Sequence, residues 1–373
     1  MVPPSFRALL LAGIALSVTS CAATPKDDGL RLNQIQVIGT HNSYHAGIAA
    51  NESVLWKKTN PDQYALLDYH HQSLTAQLSA GVRQVELDVY ADSKGGLYAH
   101  PAGPGLVTKA GLPADPAFDP NHVMDKPGFK VMHVQDVDYR STCQPFTACL
   151  SEIRTWSKAH PGHAPIFILV ETKEEALPLP FPTVKPEPLT PASLDALDRE
   201  VLSVFQADEV ITPDRVRGTT ATLPAAISQH GWPTLADARG KVVFLLDQRK
   251  ISDRYLDGHA ALKGRVMFTN AQAGTDDAAF IEMNDGPGDA IAALVRQGYL
   301  VRTRSDADTK EARANDTRRR DMALGSGAQI ISTDYPASEP AANGFVVALP
   351  GGVAARCNPV TAPAGCPAGD LDR

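Results

Sequence analysis

Eight short runs rich in Val, Ile, Leu and Phe recur along the chain, and no other feature restricts its fold as much. They fall at about 35–39 (IQVIG), 83–89 (RQVELDV), 130–134 (KVMHV), 165–171 (PIFILVE), 241–247 (KVVFLLD), 265–269 (RVMFT), 299–303 (YLVRT) and 329–333 (QIIST). Several are continuous apolar runs, which suits parallel strands covered on both faces. Residues 61–80, 146–159, 192–206, 288–297 and 307–323 read as the crossover helices between them. Strands alternating with helices in this number predict an α/β fold, a (β/α)8 barrel of TIM type, distorted after the fifth strand where the following helix is poor.

The barrel is expected over 33–339. Ahead of it, Arg7 and the apolar stretch ALLLAGIALSV (8–18) form a secretory leader too short to span a bilayer. The residues Val18-Thr19-Ser20-Cys21 resemble a bacterial lipobox, so 1–20 is expected to be a lipoprotein signal, Cys21 the lipidated residue and 21–32 a tether. An exported protein, anchored by lipid to the bacterial envelope or secreted, follows from this reading. The other cysteines fall into two close pairs, Cys143 with Cys149 and Cys357 with Cys366, which suits local disulfides in an oxidising compartment. The second pair sits in a tail, 340–373, expected to be a stapled appendage.

A chain that is 43% apolar and 21% charged can bury a large core. Its net charge of −7 excludes the basic stripe of a nucleic-acid binder. A monomer is expected. The Pro-rich stretch PLPFPTVKPEPLTP (178–191) directly follows the fourth run and must be an extended loop on the active face of a barrel. Leu177, Leu179 and Phe181 there could form an apolar lip.

The ionisable residues cluster at the ends of the first four runs: His41-Asn42, Glu86 and Asp88, His133, and Glu171 with Lys173. Glu86 and Asp88 are two apart, so a strand points both to one side. Carboxylates crowded in an apolar barrel mouth resist ionisation unless something positive lies among them. Three carboxylates and the Asn42 amide oxygen make an all-oxygen set that suits Ca²⁺ before Mg²⁺. Two flanking imidazoles suit transfer of phosphorus between hydroxyl groups, one removing a proton and the other supplying one. Lys173, Arg304 and Asp334 are candidates for substrate binding, and Asp247, Arg249 and Arg302 are weaker ones. His45, His70 and His71 have no evident partner.

The segments GTHNSYH, GVRQVELDVYAD, VMHVQDVDYRSTC and IFILVETK resemble the catalytic region of bacterial calcium-dependent phosphoinositide-specific phospholipase C, and the later runs WPTLADARGKVVFLLD and AQIISTDYP are also similar. The resemblance spans about 33–336. It implies that His41 is the general base on the inositol 2-hydroxyl, that Asn42, Glu86, Asp88 and Glu171 bind calcium, and that a second histidine protonates the diacylglycerol oxygen to release a cyclic inositol phosphate. His133 is preferred for that role over His100. Residues 92–130 form an insertion that could reshape the head-group pocket. Two alternatives stay open: a glycerophosphodiester phosphodiesterase acting on deacylated head groups, and a silent envelope lipoprotein that binds a ligand without turnover.

Overall fold

The computed structural model describes Met1 and residues 29–373. The expected leader beyond Met1, Cys21 and most of the tether lie outside the described residues. Among the described residues no helix is long and apolar enough to cross a membrane.

Ten strands form one sheet: β1 (Ile35–Thr40), β2 (Gln84–Tyr90), β3 (Lys130–Val131), β4 (Ile166–Lys173), β5 (Val242–Leu246), β6 (Phe268–Thr269), β7 (Phe280–Glu282), β8 (Leu300–Arg304), β9 (Ile330–Thr333) and β10 (Ala355–Cys357). Eight of them run parallel in the order β6-β5-β4-β2-β1-β9-β8-β7, and an isolated bridge from Asn270 to Phe280 brings the two ends together. The result, with its flanking helices, is a nearly closed barrel of TIM type. The β1–β2 seam is a thin join, with Gly39 and Gln84 its one registered pair.

Strand periodicity sorts the side chains. Val85, Leu87 and Val89 of β2 enter the apolar core shared with the helices, which leaves Glu86 and Asp88 on the opposite face, inside the barrel. Helix Phe146–Ala159 buries Phe146, Cys149, Leu150 and Ile153 in that same core, the i, i+3, i+4, i+7 stripe of a half-buried helix. Helix Pro191–Val204 begins with proline in its first turn, and Thr190 Oγ1 accepts from the Ser193 amide.

The run at 130–134 is not a barrel strand. Only Lys130–Val131 is extended, and it pairs antiparallel with Tyr90 and Val89. The preceding insertion offers one seven-residue helix, Gly103–Lys109, too little for a crossover, so the chain doubles back along β2. Its place in the barrel is taken by β7, whose three residues were too short to see. The expected helix 61–80 is two pieces, Pro61–Leu66 and Leu74–Ser79. That at 307–323 is interrupted at Asn315, which adopts a left-handed φ of 48°.

Both cysteine pairs are bonded, Cys143–Cys149 and Cys357–Cys366. The stapled tail packs against the barrel instead of standing apart. Its β10 pairs antiparallel with β1, Leu371 is buried in the main core, and Asp372 holds the Arg83 guanidinium at 2.5 Å.

Candidate active site and metal centre

At the end of β1 the chain turns sharply, with Asn42 in the left-handed region at φ 45°, a conformation asparagine tolerates better than most residues. His41 Nδ1 lies 2.7 Å from Asp334 Oδ1. A carboxylate can only accept here, so Nδ1 carries the proton and Nε2 keeps its lone pair. Arg304 Nη1 approaches that Nε2 at 3.2 Å. Burial, and then Arg304 and Arg302, hold the His41 pKa well below the ordinary imidazole value. The free imidazole is thus the neutral form a general base requires. His71 Nε2 donates to the His41 carbonyl at 2.9 Å, and its Nδ1 meets Glu339 at 2.5 Å.

Glu86, Asp88 and Glu171 each offer an oxygen within 4.8 Å of the other two. The parallel register sets Asp88 beside Glu171 across β2 and β4. Burial, the Glu171 charge and Glu86 push the Asp88 carboxyl well up, while Lys173 opposes them. Glu86 is pushed up to about 7, chiefly by burial and against Arg302. Lys173 Nζ stands 3.0 Å from Asp88 Oδ2 and 2.5 Å from Glu171 Oε1. Despite this ion pair, neither Asp88 oxygen has a well-aligned hydrogen bond. A fully buried carboxylate with unused lone pairs, next to two more, is a donor set that fits a hard divalent cation.

Asn42 is buried just past the end of β1; its Nδ2 donates to Tyr69 Oη at 2.8 Å, and its Oδ1 has only a 3.4 Å contact from Tyr44 Oη. Arg302, fully buried, spans Glu86 and Glu282 and not the aspartates that follow β8. Arg304 does pair with Asp334, at 3.4 Å.

His133 faces the same mouth from the loop after β3. Its Nδ1 lies 2.8 Å from Asp138 Oδ2, and the other oxygen of Asp138 meets His45 Nε2 at 2.8 Å. Burial would raise the Asp138 pKa, but His45 and His133 outweigh it and hold the group well below the carboxylate range. His100 is exposed on the insertion and lines neither cavity described below.

Two cavities meet at His41, Glu171 and Arg304. The inner, of about 480 Å³, is polar, with Glu86, Asp247, Asn270, Glu282, Asn284 and Arg302 in its wall. The outer, of about 540 Å³, adds His133, Lys173 and Asp334 to an apolar wall of Trp56, Leu66, Leu67, Leu177 and Leu179. Phe181 does not line it. Asp334, expected on substrate, has both oxygens on His41 and Arg304. The sequence reading missed Asp138, Tyr69, Glu282 and Asn284, and left His45 without a partner. Of these only Asp138 left a signal, lying five residues after His133 in one motif.

The sequence model of a protein family described as Ca²⁺-dependent phosphoinositide phospholipase C matches residues 30–359. No curated protein matches the chain. Among solved structures, the calcium-dependent phosphoinositol-specific phospholipase C of a Gram-negative bacterium, Pseudomonas sp, in its myoinositol complex, superimposes with a TM-score of 0.55 at 16% identity, over 90% of this chain and 97% of that one. Crystal form 1 of its apo form gives the same TM-score, identity and coverage. At that identity the likeness is one of fold, and the family match carries the assignment. The chain belongs to the Ca²⁺-dependent phosphoinositide phospholipase C family: it is a phospholipase C-like phosphodiesterase whose cofactor is Ca²⁺.

Proposed function

We propose that the protein cleaves phosphatidylinositol-type lipids to diacylglycerol and a cyclic inositol phosphate, with His41 as general base and His133 as general acid. One observation carries this reading: two imidazoles, each held at Nδ1 by its own buried carboxylate, open onto one cleft beside three clustered carboxylates.

His41 Nε2 takes the proton of the inositol 2-hydroxyl, whose oxygen then bonds to phosphorus. The phosphorus–oxygen bond to glycerol breaks, its electron pair stays on the glycerol oxygen, and His133 Nε2 gives that oxygen a proton. Asp334 stabilises the imidazolium formed at His41, and Asp138 keeps the His133 proton donor oriented. Arg304 and Lys173 are placed to meet phosphate oxygens. Glu86, Asp88, Glu171 and the Asn42 oxygen would hold Ca²⁺, which when bound supplies positive charge against the phosphate and lowers the pKa of the attacking hydroxyl. The Asn and acidic groups of the inner cavity suit a polyhydroxylated ring, and the apolar wall of the outer cavity suits acyl chains.

That apolar wall favours an acylated substrate over the glycerophosphodiester alternative. Incubation with phosphatidylinositol and with glycerophosphoinositol, with and without chelator, tests the choice. Calcium-dependent release of a cyclic inositol phosphate is expected. Glycerol 3-phosphate from the second substrate alone would replace this reading by the other, and unchanged background turnover in His41→Ala would leave only a ligand-binding lipoprotein. The leader sequence with Cys21 supports export and lipid anchoring.

A further inference from the structure

Asp138 is shared. Its two oxygens accept, at 2.8 Å each, from His133 at the cleft and from His45 behind it. His133 keeps a side-chain exposure of 22%, whereas His45 and the Asp138 carboxylate are wholly buried. His45 therefore cannot touch substrate, and its side-chain hydrogen bond to the catalytic groups runs through Asp138.

We propose that His45 is a positioning residue for the general acid: it locks the plane of the Asp138 carboxylate, so that His133 keeps Nε2 aimed at the leaving oxygen. This rests on the acid role given to His133 above. An aspartate with one partner turns in a broad torsional well about its last bond. A second hydrogen bond to the opposite oxygen removes that freedom and fixes the ring hydrogen-bonded to the first.

The backbone around the three residues is built for this. Val134 and Asp138 exchange both amide–carbonyl bonds, at 2.9 and 3.0 Å, across a turn with Asp136 at φ 73°. That hairpin sets Asp138 beside His133. The segment is then stitched to the one carrying His45: Thr142 N donates to Tyr44 O at 2.8 Å, Ala46 N to Arg140 O at 3.3 Å, and His45 bridges Ser141. The His45 ring also packs on Tyr69, with centroids 4.7 Å apart, and Tyr69 Oη accepts from Asn42. A ring buried this deeply would be cheaper as phenylalanine unless its hydrogen bond were used.

The step it serves breaks the phosphorus–oxygen bond to glycerol, with the electron pair and the His133 proton both going to that oxygen. An alkoxide needs the proton; a nitrophenolate leaves without it. The test therefore compares phosphatidylinositol with an inositol phosphodiester bearing nitrophenolate, using His45→Met, His45→Gln and His133→Ala in the full chain with Ca²⁺. Met and Gln are near in shape, and only Gln can donate.

His133→Ala is expected to lose about 100-fold or more on the lipid relative to the nitrophenyl substrate, within the range of general acid catalysis. His45→Met should show the same bias at about 10- to 100-fold, and His45→Gln should recover most of it. Bias in His133→Ala with none in His45→Met overturns this proposal alone. Absence of bias in both overturns the acid role of His133, and this proposal with it. Nitrogen-15 NMR of histidine-labelled wild type needs no variant to fold: it should show protons on His45 Nε2 and His133 Nδ1, and a bare His45 Nε2 overturns the proposal.

Discussion

Asp334 Oδ1 lies 2.7 Å from His41 Nδ1 although the two residues are 293 positions apart in the chain. They meet because β1 and β9 are parallel neighbours in register, Thr40 against Thr333, so the next residue of each strand emerges on the same rim. Asp334→Asn would offer a donor where the ring needs an acceptor, leaving the wrong tautomer in place. The expected result is a loss in kcat of about 10²- to 10⁴-fold with KM little changed, read from steady-state kinetics on dispersed phosphatidylinositol. A change confined to KM would assign Asp334 to substrate instead.

The acidic trio makes its own forecast. Asp88→Asn removes one ligand charge and should raise the Ca²⁺ concentration for half-maximal activity at least about tenfold. Calorimetry with Ca²⁺ alone should show the same loss, independent of turnover. In the wild type, Ca²⁺ at 100 times its Kd should add about 2.7 kcal/mol to stability, and chelator should remove it. Lys173→Met should destabilise the calcium-free protein more than the loaded one, because without the ammonium two buried carboxylates face each other unpaired.

Much of this was legible in the chain because strands of a barrel announce themselves twice, by their apolar runs and by the ionisable residues that terminate them. Glu86 and Asp88 could be placed on one face from their spacing alone. The run KVMHV carried the same local signal, yet membership of a parallel sheet depends on the crossover before it, which composition does not reveal. His133 consequently reached the mouth by a different route from the one expected. Asp138 lies 93 positions from His45, and Glu86 lies 216 from Arg302. Such contacts are set by strand order, and no spacing within the sequence encodes them.

The outer cavity bears on how a lipid reaches the site. Leu177 is 43% exposed at its edge, among the few large apolar side chains so open to solvent in the described residues. Replacing Leu177 and Leu179 together by serine should lower turnover of vesicle-borne phosphatidylinositol severalfold, and leave turnover of a monomeric short-chain analogue within about twofold, since roughly 1.5–3 kcal/mol of burial per leucine is at stake only when the chains are engaged. Equal losses on both substrates would place the two leucines in the fold and not at the lipid.

Gly39 tests the seam that carries His41. A Cβ at this position would stand 1.9 Å from Gln84 Oε1 and 2.6 Å from Gln84 Cβ, and Gly39–Gln84 is the sole registered pair between β1 and β2. Gly39→Ala must push the two strands apart. Overpacking of this kind costs about 1–3 kcal/mol, to be measured by denaturant unfolding. Because the displaced strand ends in His41 and Asn42 while its neighbour carries Glu86 and Asp88, the apparent Ca²⁺ affinity should fall together with stability. A variant of full stability and affinity would show that the seam yields easily.

Part of the acid sensitivity should arise away from the site, at His163. This imidazole is fully buried, its Nδ1 donating to Ala164 O at 2.5 Å and its Nε2 accepting from Ser157 Oγ at 2.7 Å. Burial lowers its pKa from 6.5 to about 4. The unfolded chain therefore takes up a proton first as pH falls, and native stability declines from about pH 6.5 down to about pH 4, by about 3 kcal/mol in all. Above pH 6.5 the group is neutral in both states and contributes no slope. Urea unfolding at pH 7 and pH 4.5, compared between wild type and His163→Gln, isolates this contribution from other acid-sensitive groups. The variant should lose distinctly less stability over the interval; identical slopes would mean that His163 is protonated in the folded protein without penalty.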